Sequence, residues 1–285
     1  MFTLMKLAHL ILTHANPQQV KKLIGKLAHE NADFYIHVDK KTPIESFLEL
    51  GQLPNVTFIQ NRVKVYWGGY SIVQATINGF EEILNSGKKY DYINLASGQD
   101  YPIKKTADIH NFLAKNQGKI FMHYLSLTDE WQEAIPRITQ YHLINYNLPA
   151  GTYIIEQFIN SILPKRKLPA NMVAMGRSQW FTASPESIAY ALNYIKEKSW
   201  VSRFFKLTWA PDEIIFQTIL YNSQFKEKMV NNNLVYLDWS QGKASPKLLT
   251  MEDAAALQTS DKLFARKLAN PASDQLIDYL DEITA

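Results

Sequence analysis

Over its first 125 residues the chain alternates between two kinds of segment, and this alternation leaves few folds open. Short apolar runs that read as strands take turns with segments whose apolar residues recur at helical spacing. "LAHLILTH" (7–14) reads as a strand. Asn16 and Pro17 then suit the cap and first position of a helix that carries Val20, Leu23, Ile24 and Leu27 on one face. "DFYIHVD" (33–39) and "NVTFIQ" (55–60) are the next strands. Behind the glycine turn "YWGGYS", Val73, Ile77, Phe80 and Leu84 form a helical stripe. "YDYINLASGQDYPIK" (90–104) begins as a strand, stops in the turn cluster Ser97-Gly98-Gln99-Asp100, and is kept from an immediate helix by Pro102. "ADIHNFLAKN" (107–116) is amphipathic and "KIFMHYL" (119–125) is a further strand. Strands that alternate with helices predict an α/β fold with a mainly parallel, Rossmann-like central sheet flanked by helices.

The second half is less regular. Residues 126–170 carry aromatic, basic and proline residues without a clear period and read as either a binding insertion or a mobile region. "SQWFTAS" (178–184) is strand-like, and "PESIAYALNYIKEK" (185–198) is a helix opening on Pro185 and Glu186. "APDEIIFQTILYNS" (210–223) is a helix opening on Pro211, and "LVYLDWS" (234–240) is a late strand. The basic "SDKLFARKL" (260–268) and a short helix from about Asp274 close the chain. No repeat and no linker divides it, so a single domain over residues 1–285 is expected.

Composition removes several classes of function. With 285 residues, 46% of them hydrophobic, the chain can bury a sizeable core. It has no cysteine, which excludes disulfides and thiolate sites and suits a reducing compartment. A net charge of +3 is too mild to indicate nucleic acid. No apolar run reaches the ~18–20 residues of a membrane span, and the N-terminal run reads as a buried strand rather than a signal peptide. The first strand is not followed by a glycine fingerprint for a dinucleotide. There is also no GxxxxGK[ST] loop, no HExxH and no Asp-x-Asp pair to hold a cation on a nucleotide diphosphate.

Ligands of open α/β sheets bind beyond the carboxyl ends of the strands. Asp39 ends one strand and Asp100 follows another, with Tyr66 and Trp67 ahead of the Gly68-Gly69 turn. These residues either line one crevice or, for the two aspartates, cap turns. Lys262, Arg266 and Lys267 crowd one short segment, with Lys243 and Lys247 upstream. As a helix the segment would put Lys262 and Arg266 on one face. Such a run is either a solvated face or a site for a diphosphate. Asp212 and Glu213 follow Pro211 in a predicted first helical turn, where they either complement the helix dipole or supply an ionised general base.

Taken together, these segments resemble the core-2/I-branching β-1,6-N-acetylglucosaminyltransferase and peptide O-xylosyltransferase family, glycosyltransferase family 14. The resemblance runs through "IHVDKK" (36–41), "VYWGGYSIVQA" (65–75), "YINLASGQDYPIK" (92–104), "SQWFTAS" (178–184), "PDEIIFQT" (211–218) and "LFARKL" (263–268). It implies a GT-A-like fold, with residues 1–125 as the nucleotide-binding half and 126–285 as the acceptor-binding and catalytic half. It also implies inverting transfer from a UDP-sugar without a metal or other cofactor, UDP-GlcNAc first and UDP-xylose as the alternative. By this similarity Glu213 falls on the catalytic base and Lys267 on the lysine that contacts the pyrophosphate. Asp39 and Tyr66 fall on nucleotide contacts, and Asp100 beside the donor sugar. The family's upstream arginine has Ala244 as its counterpart here, so Lys243, Lys247 or Arg266 is the expected substitute. Acceptor candidates are Glu133, Arg137, Tyr141, His142 and Trp180. The expected partners are a UDP-sugar and a saccharide or glycolipid acceptor, with no nucleic acid. The expected location is the cytoplasm, with peripheral contact at the inner face of the membrane. A catalytically inactive sugar- or nucleotide-binding module on the same fold is the competing class.

Overall fold

The computed structural model describes residues 5–146 and 152–285. Its centre is a seven-stranded sheet in the order β3-β2-β1-β4-β7-β6-β8. The strands are β1 (Leu7–Thr13), β2 (Ala32–Val38), β3 (Val56–Phe58), β4 (Tyr92–Ser97), β6 (Ile120–Ser126), β7 (Met175–Ala183) and β8 (Met229–Asn231). β1, β2, β3 and β4 run parallel to one another, β7 is antiparallel to both its neighbours, and β8 is parallel to β6. A second, three-stranded sheet has the order β5-β10-β9, from β5 (Asp100–Pro102), β9 (Val235–Leu237) and β10 (Phe264–Arg266). This is the α/β architecture that the alternation of strands and helices predicts, a mainly parallel sheet flanked by helices.

The burial pattern explains the sequence pattern. Every residue of β2 and β4 is buried, and so is all of β1 except the half-buried Leu12, as expected of parallel strands covered on both faces. Helix α1 (Pro17–Leu27) lays Val20, Leu23, Ile24 and Leu27 on the core, and α2 (Tyr70–Leu84) does so with Val73, Ile77 and Phe80. Asn16 precedes α1 in the left-handed conformation and makes no side-chain capping bond, although its carbonyl accepts from Val20 N at 3.2 Å, and Pro17 takes the first helical position. Helices α3 (Thr106–Lys115), α6 (Pro185–Glu197) and α10 (Asp274–Ile283) form where the periodicity predicts them. α6 is capped by Ser184, whose hydroxyl accepts from Ser187 N.

The second half departs from expectation in four places. Residues 126–170 are not simply irregular, because they contain α4 (Ile135–Thr139) and α5 (Thr152–Ile162). Residues 147–151 of that segment lie outside the described residues. α7 (Ser199–Phe205), β8 and α9 (Ala254–Thr259) are short elements that a periodicity reading passes over. The helix expected from Pro211 is split into a 3-10 turn, Pro211–Glu213, and helix α8 (Ile215–Tyr221), with a break at Ile214 (φ −128°). Finally, "LFARKL" is a strand rather than a helix, because Phe264, Ala265 and Arg266 are paired on both sides, with β5 and β9. Lys262 precedes this strand, and both it and Arg266 line the same cleft.

Candidate active site

The carboxyl ends of β1, β2 and β4 open into a cleft of 1010 Å³, with Thr13, Asp39, Ser97 and Gln99 on its wall. The opposing wall comes from the segments 209–213, 231–239, 243–246 and 262–267. Seven Lys or Arg side chains line this cleft (Lys41, Arg137, Arg177, Lys243, Lys262, Arg266, Lys267) against three carboxylates (Asp39, Asp212, Glu213). A cavity with that balance favours a polyanionic ligand.

Glu213 sits in the 3-10 turn with its side chain 30% exposed. Arg137 Nη1 donates to Glu213 Oε2 at 2.5 Å, while Oε1 has no hydrogen bond among the described residues. Arg137 is in turn stacked on the rings of Trp131 and Trp209, at 4.5 Å from each centroid. Two backbone contacts set the turn. Ala210, at φ 47°, donates its N–H to Gly68 O at 2.8 Å, and Gly68 itself needs φ 72°. Gly176 of β7 lies so close that a Cβ there would come within 2.4 Å of Glu213 O. Beside Glu213, the Asp212 carboxyl is pushed up to about 8, first by burial and then by the neighbouring Glu213 charge, and among the described residues its Oδ1 has no partner. The two adjacent carboxyls are therefore unequal: a buried one that resists ionisation and one that reaches the cleft.

The basic wall is built by the second sheet. Asp100 is buried, accepts from Ser97 N at 2.8 Å and is paired with Arg266 Nη1 at 2.7 Å. Burial pushes the Asp100 carboxyl up, and the Arg266 charge opposes that shift. Arg266 also stacks on Trp180 at 4.4 Å. The next residue, Lys267, is half-buried, and among the described residues its ammonium has no hydrogen bond or ion pair. Burial and then Arg266 hold its pKa down. A partly buried cation without a counter-charge is costly unless an anion completes it.

Five of the chain's six tryptophans line the cleft: Trp67, Trp131, Trp180, Trp209 and Trp239. Trp67 is 68% exposed and meets Trp209 edge-on, with centroids 5.4 Å apart. Flat aromatic faces of this kind suit the C–H faces of a sugar or a base ring.

Of the residues singled out by sequence, the structure brings Glu213, Arg137, Asp39, Arg266, Lys267 and Trp180 into one cleft. Asp39 serves its own turn as well, accepting from Lys41 N at 2.8 Å and Val65 N at 3.3 Å. Six others do not line the cleft. Tyr66 stands behind Trp67 with Lys41 over its ring at 5.0 Å. The Asp100 carboxylate is spent on Arg266. Lys247 turns away into Asp253 at 2.7 Å and Asp238 at 3.9 Å, so of the expected substitutes for the upstream arginine only Lys243 and Arg266 face the cleft. Glu133 is exposed elsewhere. Tyr141 and His142 are occupied in holding the 136–166 segment: the Tyr141 ring faces Arg166 and His142 N donates to Leu207 O. Sequence reasoning passed over Arg177 and three of the tryptophans, Trp131, Trp209 and Trp239, as ligand-facing groups, although tryptophan outside an amphipathic stripe is a signal. Among the described residues, no group of three or more His, Asp or Glu side chains is placed to hold a metal ion.

The family model described as "Branch: Core-2/I-Branching enzyme" matches residues 7–261. A xylosyltransferase of Ciona intestinalis is 24% identical over 306 residues, covering 97% of this chain and 34% of its own length. Xylosyltransferase 2 of Rattus norvegicus is 26% identical over 311 residues, with 98% and 33% covered. The chain thus spans about a third of the length of these relatives. Among solved structures, S. aureus TarS 1-349 aligns with a TM-score of 0.41 at 11% identity, covering 79% of this chain and 57% of that one.

Proposed function

The chain belongs to the core-2/I-branching enzyme family, and on that premise we propose that it moves a sugar from a UDP-sugar to a hydroxyl of a saccharide acceptor, with inversion and without a metal ion. One observation carries this reading. The half-exposed Glu213 carboxylate lines the same cleft as Lys267, a cation that nothing in the described protein neutralises.

The steps follow from the residues present. The acceptor oxygen attacks the anomeric carbon from the face opposite the diphosphate, its proton passes to Glu213, and the sugar–diphosphate C–O bond breaks. Arg137 pins Oε2 and leaves Oε1 for the proton. Lys267, with Arg266 beside it, stabilises the charge that collects on the departing UDP, a role a divalent cation fills in other sites. The tryptophans stack on donor and acceptor rings and exclude water.

The donor sugar is GlcNAc in the first reading. Xylose is the second, favoured by the names of the relatives, which are xylosyltransferases. UDP release from UDP-GlcNAc and UDP-xylose, measured with a panel of saccharide acceptors and with EDTA, tests all of this. Acceptor-dependent release that survives EDTA is expected. Loss on chelation that manganese or magnesium restores would overturn the metal-free reading. Tight UDP binding with no release from any donor would mark a binding module instead.

A further inference from the structure

Helix α5 is docked the wrong way round for a soluble surface. Two of its polar side chains, Glu156 and Asn160, face the protein: Glu156 Oε1 accepts from Leu143 N at 2.6 Å, and Asn160 bonds both Tyr141 N (2.8 Å) and Tyr141 O (3.0 Å). Its apolar side chains face out. Ile154, Phe158 and Ile162 recur at four-residue spacing and are 73%, 63% and 61% exposed. Tyr153 and Leu163 extend the same exposed surface. Surface helices of water-soluble proteins bury the apolar stripe, so an outward stripe marks a surface that something else covers.

We propose that α5 is a membrane-docking helix that lies in the headgroup region of an anionic lipid bilayer. Charge selects this occupant. Between residues 138 and 175 the only acidic residue is Glu156, which is bonded inward. The helix runs directly into Lys165, Arg166 and Lys167. Lys165 and Lys167 are exposed, whereas Arg166 is buried, donating to Gln140 O at 2.9 Å and Leu207 O at 2.5 Å. Those bonds bring the end of α7 alongside, and with it the exposed Arg203 and Lys206. An apolar stripe bordered by cations is the pattern that anionic headgroups attract, each cation near the surface adding to binding. Eleven residues span only about 16 Å, so the helix lies on the bilayer and does not cross it. The 141–143 segment that anchors α5 continues from the residues carrying Arg137. The docked face is thereby tied to one wall of the cleft, whatever donor the cleft uses.

The test is co-sedimentation of the full chain with vesicles of phosphatidylcholine alone and of phosphatidylcholine mixed with phosphatidylglycerol. The chain is expected to bind the mixed vesicles and to lose most of that binding in high salt. Ile154→Ser/Phe158→Ser/Ile162→Ser should lower partitioning by roughly ten-fold or more. Lys165→Ala/Lys167→Ala should weaken the preference for the anionic lipid, and an unchanged preference would overturn the electrostatic part of the proposal. Both should keep the wild-type melting temperature, because the changed side chains are exposed, and Phe158→Ser alone gives a milder version of the first. A wild-type chain that stays in the supernatant with anionic vesicles at low salt overturns the proposal. So does a triple variant that binds as well as wild type. A wild-type dimer that the triple variant converts to monomer also overturns it, since the stripe then belongs to a second copy of the chain.

Discussion

Arg137 Nη1 lies 2.5 Å from Glu213 Oε2, and the guanidinium making this contact is stacked on two indoles, Trp131 and Trp209. Two segments 76 residues apart are thereby locked together at a carboxylate that lines the cleft and, among the described residues, retains an unbonded oxygen. The stack fixes the arginine, the arginine fixes one carboxylate oxygen, and the other is left with a defined direction into the cleft.

Glu213→Gln is expected to keep the fold and the affinity for UDP while losing transfer. Removing a general base typically costs 10²–10⁴-fold in rate, about 3–5 kcal/mol of transition-state stabilisation. Turnover measured at saturating acceptor, alongside UDP titration calorimetry, separates the two. Near-normal turnover of the variant would show that another group takes the proton.

Lys267→Ala is expected to weaken UDP binding roughly ten- to a hundred-fold and uridine binding little, because a charge-assisted contact to phosphate is worth about 1.5–3 kcal/mol. Arg266→Ala is a different kind of change. It leaves the Asp100 carboxyl buried without its partner, so its expected signature is a fall in stability, typically 3–5 kcal/mol for a broken buried pair. Calorimetry with UDP and with uridine, together with melting curves, distinguishes them. Equal losses for UDP and uridine in Lys267→Ala would place the diphosphate elsewhere.

Much of this was legible in the chain, for physical reasons that particular residues show. Strands β1, β2, β3, β4 and β6 and helices α1, α2 and α3 follow from their apolar patterns because their faces are buried against one another, whereas β5, only three residues long, reads as part of a turn. The "LFARKL" segment misleads because a three-residue strand is too short to show alternation; only its pairing with β5 and β9 defines it. Pro211 rightly marks a helical start, but Ile214 breaks the run because the turn must bend around Gly176. Lys247 and Lys243 look equivalent in sequence. Asp253, six residues beyond Lys247, draws that side chain out of the cleft, whereas Lys243 lines it. The tryptophans were invisible as a group because their convergence is made by five separate segments.

Acid is expected to destabilise the protein before it disrupts the cleft's ion pairs. Burial holds His9, His37 and His110 down to about 4 and lowers His123 and His142 as well. His37 Nε2 accepts from Val63 N at 3.2 Å and so stays unprotonated in the fold. A histidine whose pKa is lower folded than unfolded binds fewer protons in the native state between the two values. Its stabilisation is complete above about 6.5 and is lost as pH falls towards 4. For the fully buried His9 this amounts to roughly 2 kcal/mol at pH 5. Asp100 and Asp212, raised by burial, act in the opposite sense, but the lowered histidines outnumber them. Melting temperature should therefore fall from pH 7 to pH 5. A flat or rising profile would contradict the neutral, buried state of these rings.

Gly176→Ala is expected to damage catalysis more than donor binding. The added Cβ would meet Glu213 O at 2.4 Å and Ile214 Cα at 3.1 Å, which are backbone atoms and not flexible side-chain ends. The turn cannot simply swing away, because α8 is fastened to β7 on the same side. Thr218 Oγ1 bonds both Met175 N (3.1 Å) and Met175 O (2.9 Å), and Gln217 Nε2 donates to Ser178 O. The strain is therefore expected to emerge as a displaced Glu213, with about 1–3 kcal/mol lost from stability by overpacking. Misplacement of a reacting group by about 1 Å can cost on the order of 10²-fold in rate, so kcat should drop while KM for the donor changes little. Gly25→Ala is the matching control. It lies in α1 with nothing within 4 Å of the new methyl, and there alanine should stabilise the helix by up to about 1 kcal/mol without touching turnover. If Gly176→Ala kept both its melting temperature and its kcat, the turn would have to give freely, and the fixed direction of Glu213 would not matter to the reaction.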